Sequence, residues 1–256
     1  MTLTPMHFLI VCPLVALAGF VDSIAGGGGL ISLPAYLLAR LPVHMGIATN
    51  KLSSPMGTTI STLRYAREGY IDWRLAAAGV PAALAGAALG AQIALRISDG
   101  LFRVLMLFIL PLIALYVLRR KELGGDDREA LPLKRQLFAS AAIAFSVSVY
   151  DGFYGPGAGT FLLLSYARFA RLNLRRANGV TKAVNLSSNV ASLAVYLANG
   201  QVLIPLGLAA GAFAVLGNYL GSRSFSKRGA QIARPVILFV LAVFFVRTVL
   251  ELVGIV

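Results

Sequence analysis

Residues 22–34 read DSIAGGGGLISLP, an acidic residue followed by a run of glycines between two apolar segments. Glycine costs about 1 kcal/mol in a helix interior relative to alanine, so four in succession are expected to interrupt a helix. The four are Gly26, Gly27, Gly28 and Gly29. What such a break means depends on the solvent around it, and the composition of the chain indicates that solvent.

The composition is that of a membrane protein. Of 256 residues, 58% are hydrophobic and only 13% are charged, whereas about 25% are charged in an average globular chain. Apolar runs of about 20 residues with basic clusters at their ends are typical of bilayer-spanning helices. The net charge of +13 lies at those ends rather than on one stripe, so we expect no nucleic-acid partner. The fold class predicted is an all-α polytopic membrane protein, with the lipid bilayer as its surroundings.

Eight to ten membrane segments are expected. The apolar runs are 6–24, 30–40, 44–63, 75–95, 101–118, 136–153, 159–170, 177–197, 201–221 and 233–254. The short runs 30–40 and 159–170 each cover about 16 Å, half of the hydrocarbon core. The charged linker 119–135 then separates a first transmembrane repeat, 1–118, from a second, 136–256.

The second half repeats the features of the first. DGFYGPGAGTFLLL, which begins at Asp151, resembles the stretch that begins at Asp22, and NGVTKAVNLSS (178–188) resembles GIATNKLSS (46–54). Each half is therefore predicted to hold a glycine-rich broken-helix hairpin and three transmembrane helices. Five segments per half give the two repeats inverted topology. The inverted topology requires an odd number of segments in each half, so it depends on this segment count.

Basic residues set the predicted orientation. With the linker in the cytoplasm, the loops 64–74, 119–135, 168–176 and 222–234 also fall there and hold most of the lysines and arginines. Cytoplasmic loops carry such an excess in membrane proteins. Both termini are then expected outside the cytoplasm.

The glycine breaks predict a cavity near the middle of the membrane. Irregular backbone is tolerated at that depth only where it is buried in protein or lines an aqueous cavity. A helix that restarts there presents N–H donors and a partial positive charge, which suit an anion. The second break would contribute Gly155, Gly157 and Gly159. Tight helix packing is the alternative for glycines, and we favour it for GAALGAQ (86–92) and ALAG (16–19).

Two lysines inside the apolar segments are candidate anion ligands. Lys51 and Lys182 follow the breaks at matching places, and a lysine in mid-bilayer needs polar surroundings. The polar neighbours proposed to bind substrate with them are Thr49, Asn50, Thr181 and Asn185. Snorkelling of the two lysines to the interface is the alternative.

Asp22 and Asp151 admit three roles, namely charge pairing with a lysine, proton carriage and capping of the broken helix. We favour charge pairing. His7 and His44 lie far apart near segment ends, and Cys12 is the single cysteine. We therefore expect no disulfide, no metal site and no cofactor, and no enzymatic activity.

These motifs together resemble the sulfite exporter TauE/SafE family. The resemblance rests on AGGGG, TNKLSS, DGFYGPGAGTF and NGVTK, and it covers about residues 6–254. It implies a multi-pass protein of the bacterial inner membrane that exports sulfite or small organosulfonates such as sulfoacetate. In this chain Pro156 and Ala158 interrupt the second glycine motif, so the two breaks need not contact a ligand equally.

The function expected is secondary transport of a small sulfur-containing anion by alternating access through a central site at the two breaks. A passive anion channel and a non-transporting scaffold or assembly protein are the alternatives. The sequence allows either a monomer or a homodimer.

Overall fold

The computed structural model describes residues 2–102 and 131–223, isolated positions between 104 and 112, and Val246. Within these residues every regular element is an α-helix. The helices are α1 (Pro5–Ala25), α2 (Gly29–Leu38), α3 (Val43–Arg67), α4 (Trp73–Ala94), α5 (Leu133–Phe153), α6 (Ala158–Phe169), α7 (Leu174–Ala198) and α8 (Ile204–Arg223). The predicted segments 101–118 and 233–254 lie largely outside the described residues.

Local sequence signals account for several helix ends. Asp72 precedes α4 and Asn173 precedes α7, and each side chain accepts backbone hydrogen bonds from the first turn that follows it. Short polar side chains at this position satisfy N–H groups that have no partner within the helix. At the end of α1, Gly26 adopts φ 71°, a left-handed conformation that glycine takes at little cost.

Both halves show the same order of helix lengths. Helices α1 to α4 contain 21, 10, 25 and 22 residues, and α5 to α8 contain 21, 12, 25 and 20. The short helices α2 and α6 follow the two glycine breaks, where the sequence places them. Helix α5 begins at Leu133, so the last three residues of the predicted linker 119–135 are helical.

Glycines bring the two halves into close contact. Helix α1 packs against α8, and α4 packs against α5, so the first helix of each half contacts the fourth helix of the other. A methyl group added at the contact glycines would lie within 2.5 Å of a carbonyl oxygen of the neighbouring helix. These glycines are Gly86, Gly90, Gly152, Gly217 and Gly221. The packing role predicted for residues 86–92 is therefore confirmed.

The order of contacts gives the direction of the paired helices. Gly79 lies beside Ser140 and Gly90 beside Val149, so α4 and α5 run parallel. Helices α1 and α8 are also parallel, because Ala16 meets Gly217 whereas Ser23 meets Gly221.

The third helix of each half fixes the remaining directions. Helix α3 runs parallel to α8, since Thr49 contacts Leu203 and Gly57 contacts Ala214. It runs antiparallel to α7, because Tyr65 near the end of α3 clusters with Ala183 in the first half of α7. Helices α4 and α7 are parallel. Ile71, just before α4, lies beside Gly179, and Gly79 lies beside Val184. Helices α1, α3 and α8 thus run one way, and α4, α5 and α7 run the other.

The outer faces of the bundle are apolar. Helices α1, α4 and α8 are long and apolar enough to cross a membrane, with mean hydropathies of 2.0, 1.5 and 1.4 over their most apolar windows. Leu9, Trp73, Phe138 and Leu216 are each more than half exposed, on α1, α4, α5 and α8. The polar side chains are instead concentrated on α3 and α7, which these helices cover. Apolar outside and polar inside is the arrangement of a chain surrounded by lipid.

Candidate functional site

The two glycine breaks meet at the centre of the bundle. A methyl group at Gly26 would lie 2.5 Å from the carbonyl carbon of Gly159, and one at Gly29 would lie 3.1 Å from the Cα of Pro156. Gly155 and Gly157 adopt φ 100° and 82°, which disfavour any side chain. Only glycine lets the two backbones approach this closely, so both sequence motifs are parts of one structural feature.

Two buried ion pairs cross between the halves beside this contact. The Lys51 Nζ lies 2.9 Å from the Asp151 Oδ1, and the Lys182 Nζ lies 2.7 Å from the Asp22 Oδ2. The lysines are 1% and 0% exposed, so neither one reaches the membrane interface. Each glycine break is therefore joined to the long helix of the opposite half through a carboxylate and an ammonium.

The pairs occupy equivalent positions. Lys51 and Lys182 are each the ninth residue of a 25-residue helix, α3 and α7 respectively. Further along, Tyr65 and Tyr196 donate hydrogen bonds to the carbonyl oxygens of Ser23 and Gly152, at 2.7 Å and 3.0 Å. Each of these carbonyls belongs to the residue directly after the paired aspartate. The two halves thus hold their aspartates with the same set of contacts.

The surroundings of the two carboxylates nevertheless differ. Asp151 uses both oxygens, because Ser188 donates a hydrogen bond to its Oδ2. In α3 the position equivalent to Ser188 is Gly57, which has no side chain to donate. Among the described residues, Lys182 is the donor to the Asp22 carboxylate through Oδ2, and Oδ1 accepts no hydrogen bond. The Asp22 backbone carbonyl accepts from both Lys182 and the Gly26 N–H. Asp22 is therefore the less satisfied carboxylate.

A small polar cavity lies against Asp22. Its volume is about 20 Å³, room for one water molecule but not for a sulfite-sized anion. Six polar residues line it, namely Asp22, Ser32, Asn50, Ser53, Ser54 and Asn218. Around Asp151 the equivalent positions hold Phe161 for Ser32, Val184 for Ser53 and Ala87 for Asn218, whereas Thr181 and Asn185 stand for Asn50 and Ser54. The surroundings of Asp22 are thus the more polar of the two.

Opposite charges balance at the centre. The two ammonium groups expected to supply positive charge are each paired with a carboxylate in this conformation, so they leave no net charge. The residues preceding α2 and α6 are Gly28 and Gly157, so neither carboxylate is the N-cap of a short helix.

The other predicted polar ligands are only partly brought together. Asn50 lines the cavity, and its Oδ1 lacks a partner in the described part of the chain, as does the Oγ1 of Thr181. The Asn185 side chain accepts a hydrogen bond from Asn189 at 3.1 Å. The Thr49 Oγ1 accepts the Leu203 N–H at 3.1 Å and so links α3 to the start of α8.

Several residues of the site were missed from the sequence. Ser188 ends the quoted match NGVTKAVNLSS, and its spacing of six from Lys182 gives no helical-face signal. The tyrosines could have been found, since Tyr65 and Tyr196 follow their lysines by the same interval. Ser32 and Asn218 come close to Asp22 only through packing of α2 and α8.

The histidines serve local contacts. The His44 Nδ1 pairs with the Asp99 Oδ1, and its Nε2 lies 2.9 Å from the Ala94 carbonyl oxygen. His7 contacts Thr4 at the start of α1. Within residues 2–102 and 131–223, no three His, Cys, Asp or Glu side chains come together as metal ligands would.

An exposed ion pair joins the two halves beyond the C-terminal end of α3. Asp72, in the turn before α4, pairs with Arg176 in the first turn of α7, and Arg175 lies over the Tyr70 ring at 5.9 Å. Partial burial would raise the pKa of Asp72. The hydrogen bond from Arg176 and the backbone N–H groups of the α4 turn outweigh it, so this pKa falls below its usual 3.8.

Known proteins are similar over most of the chain. The family described as "Sulfite exporter TauE/SafE" matches residues 11–248. A probable membrane transporter protein, ORF9, of Sinorhizobium sp. is 36% identical, covering 92% of this chain and 88% of the relative. A probable membrane transporter of Haemophilus influenzae is 34% identical over 86% of each chain, and the Escherichia coli K12 protein YfcA, also a probable membrane transporter, is 32% identical over 89% and 84%.

No solved structure is significantly similar to this chain. The relatives are named as membrane transporters rather than enzymes, and they come from bacteria. A family match over nearly the whole chain agrees with the apolar helices and the buried charged centre. This bacterial membrane protein belongs to the sulfite exporter TauE/SafE family.

Proposed function

We propose that the protein is a secondary transporter that exports a small sulfur-containing anion, sulfite or an organosulfonate such as sulfoacetate, by alternating access. The observation that carries this proposal is the pair of Lys–Asp bridges buried where the two glycine breaks touch. Buried charges inside a membrane bundle are costly and are typical of substrate and ion pathways.

An anion is the favoured substrate because of what faces the centre. The N-termini of α2 and α6 begin at the two breaks, and two ammonium groups lie beside them. Helix N-termini at mid-membrane breaks bind anionic groups in other transporters. The proposed binding residues are Gly26, Gly27, Gly28, Gly29, Thr49, Asn50, Lys51, Gly155, Gly157, Gly159, Thr181, Lys182 and Asn185, with Asp22 and Asp151 as charge partners.

Inverted repeats are supported by the helix directions. Helices α1 and α3 run one way and α4 the other, whereas α5 and α7 run with α4, and α8 runs with α1. Helices α1, α3 and α4 are thus each opposite in direction to their counterparts α5, α7 and α8. Such repeats commonly form two halves that rock about a fixed midplane site.

Contacts at both ends of the bundle support alternating access. Asp72 and Arg176 join the halves at one end, and Thr49 and Leu203 join them at the other. The cavity beside Asp22 is too small for an anion while both contacts are made. Release of one end at a time would expose the site to one side.

The basic loops support an orientation with the Asp72 end in the cytoplasm and both termini outside. An inside-negative potential then favours outward movement of an anion by about 2.3 kcal/mol per net charge per 100 mV. The sulfur chemistry of the substrate rests on the family.

The test is flux into and out of proteoliposomes loaded with labelled sulfite or sulfoacetate. We expect saturable flux, exchange stimulated by unlabelled substrate on the opposite side, and loss of both in Lys182→Gln. The lipid-facing variant Phe138→Leu, at a side chain that is 78% exposed, is the control. Flux that never saturates would support a channel, and no flux with any anion would favour the scaffold alternative.

A further inference from the structure

Asp22 occupies the place that the proposed function gives to a substrate anion. Its Oδ2 lies 2.7 Å from the Lys182 ammonium, and its side chain lies against Gly28 at the N-terminus of α2. A carboxylate is itself a small anion held by an ammonium beside a helix N-terminus. The chain thus fills half of its central anion site with a side chain of its own.

The two aspartates are unequal in how easily they could be displaced. Asp151 is held by Lys51 and Ser188 together. The Asp22 Oδ1 accepts no hydrogen bond among the described residues, and Asp22 lines a polar cavity with room for one water. Lys182 also keeps a bond to the Asp22 backbone carbonyl, which holds the ammonium in place if the carboxylate leaves.

We propose that the Asp22 carboxylate competes with the transported anion for Lys182, and that it leaves as the protonated acid, so that one proton is taken up with each anion bound. This inference rests on the proposed anion transport. Protons and charges balance in this exchange. The ion pair between Lys182 and Asp22 opens, a proton from water joins the Asp22 carboxylate through the adjoining cavity, and the anion pairs with Lys182.

Protonation follows from the charges around Asp22. Lys182 faces it from α7 and the Tyr65 hydroxyl lies nearby on α3. The other polar groups around its cavity are neutral, namely Ser32 from α2, Asn50, Ser53 and Ser54 from α3, and Asn218 from α8. The neighbouring Lys51–Asp151 pair cancels its own charge. With an anion on Lys182, an ionised Asp22 would face a like charge and have no cation, a state that a buried site disfavours strongly.

The exchange also bears on energetics. A dianion exported together with one proton carries one net negative charge outward, so an inside-negative membrane potential still drives its export. A monoanion exported with one proton carries no net charge, and its export depends on the gradients of anion and proton alone. The two substrates are thereby distinguishable by their response to voltage.

The test is calorimetric titration of the purified protein with sulfoacetate in two buffers of different ionisation enthalpy, repeated from pH 6 to pH 8. We expect uptake of about one proton per anion and an affinity that falls about tenfold per pH unit above neutrality. Asp22→Asn should bind sulfoacetate with no proton uptake and little pH dependence. Phe138→Leu, a change at a side chain that is 78% exposed and far from the ion pairs, should keep the proton uptake.

Binding to the wild type without proton uptake would overturn this inference and leave the anion site standing, whether or not the variants fold. Retention of proton uptake in Asp22→Asn would overturn it too, since the proton would then bind elsewhere. If neither the wild type nor Asp22→Asn bound sulfoacetate, sulfite or any other sulfonate, the proposed function itself would fall together with the inference.

Discussion

The Lys51–Asp151 pair and the Lys182–Asp22 pair are equivalent in position but unequal in their surroundings. Asp151 accepts from both Lys51 and Ser188, whereas Asp22 has Lys182 on one oxygen and a polar cavity beside the other. Among the differences on the long helices, Gly57 in α3 for Ser188 in α7 removes a hydrogen-bond donor to the carboxylate. Two bridges at equivalent positions thus differ in how many donors hold the carboxylate.

The largest effect is expected from breaking the Lys51–Asp151 bridge. Lys51→Met leaves Asp151 buried without its cation, so we expect a loss of about 3–5 kcal/mol in unfolding free energy. Lys182→Met should cost less, because Asp22 borders a cavity that admits a water. Thermal and denaturant unfolding in detergent would measure both.

The double variant Lys51→Met/Asp151→Asn is the control, since it removes both charges and should regain most of the stability. Equal losses for Lys51→Met and Lys182→Met would contradict the inequality between the bridges.

The next effect concerns the two breaks. In Gly26→Ala the new methyl group would lie 2.5 Å from Gly159 in a left-handed backbone, so strain of about 1–2 kcal/mol adds to overpacking of about 1–3 kcal/mol. Gly155→Ala should cost less, because its nearest neighbours lie at 3.4–3.5 Å. Melting temperatures would rank the variants.

Gly69→Ala isolates the strain, because Gly69 has the same φ of 71° as Gly26 but no atom within 4 Å of the added methyl group. A Gly69→Ala loss as large as that of Gly26→Ala would show that contact between the breaks contributes nothing.

A smaller and equal effect is expected at the two tyrosines. Tyr65→Phe and Tyr196→Phe each remove one hydroxyl that donates to the carbonyl after a paired aspartate. Each should cost about 0.5–1.5 kcal/mol of unfolding free energy. Denaturant titration of both variants would test whether the halves are alike here, and a clear difference between them would show that the likeness does not extend beyond the lysines.

The smallest effect is expected at the exposed end. Asp72→Asn keeps a good helix cap and loses only the partly exposed pair with Arg176, worth about 0–1 kcal/mol. Because folding lowers the pKa of Asp72, its charge stabilises the fold above the unfolded value of 3.8, and this contribution is lost as the pH falls through the folded value. Melting curves of wild type and variant should therefore converge in acid. A difference that stayed constant into acid would exclude this carboxylate as the cause.

Local signals made part of this arrangement predictable. Four adjacent glycines in the first half and the glycines around Pro156 in the second each interrupt a helix, so the breaks and the short helices α2 and α6 followed from the sequence. The apolar segments followed from length and composition. Lys51 and Lys182 were identified because a lysine in an apolar run needs a partner, whatever the partner is.

Long-range packing made the rest unpredictable. Lys182 and Asp22 are 160 residues apart, and only the crossing of α1 and α7 decides that they pair. The contact of Thr49 with Leu203 could not be predicted, because only the packing of α8 against α3 decides which side chains of α3 it meets. The cavity at Asp22 depends on Ser32 and Asn218, which no spacing links to an aspartate.

The exchange of partners between halves has a consequence for biogenesis. Helix α1 packs on α8, which is synthesised after the other described helices. The face of α1 that contacts α8 therefore stays uncovered until α8 has been made. Until α7 arrives, Asp22 has no lysine, and until α5 arrives, Lys51 has no carboxylate. Until then, Asp22 and Lys51 of the nascent first half lie in the membrane without their partners. We therefore expect insertion to depend on machinery that shelters these two charges until synthesis is complete.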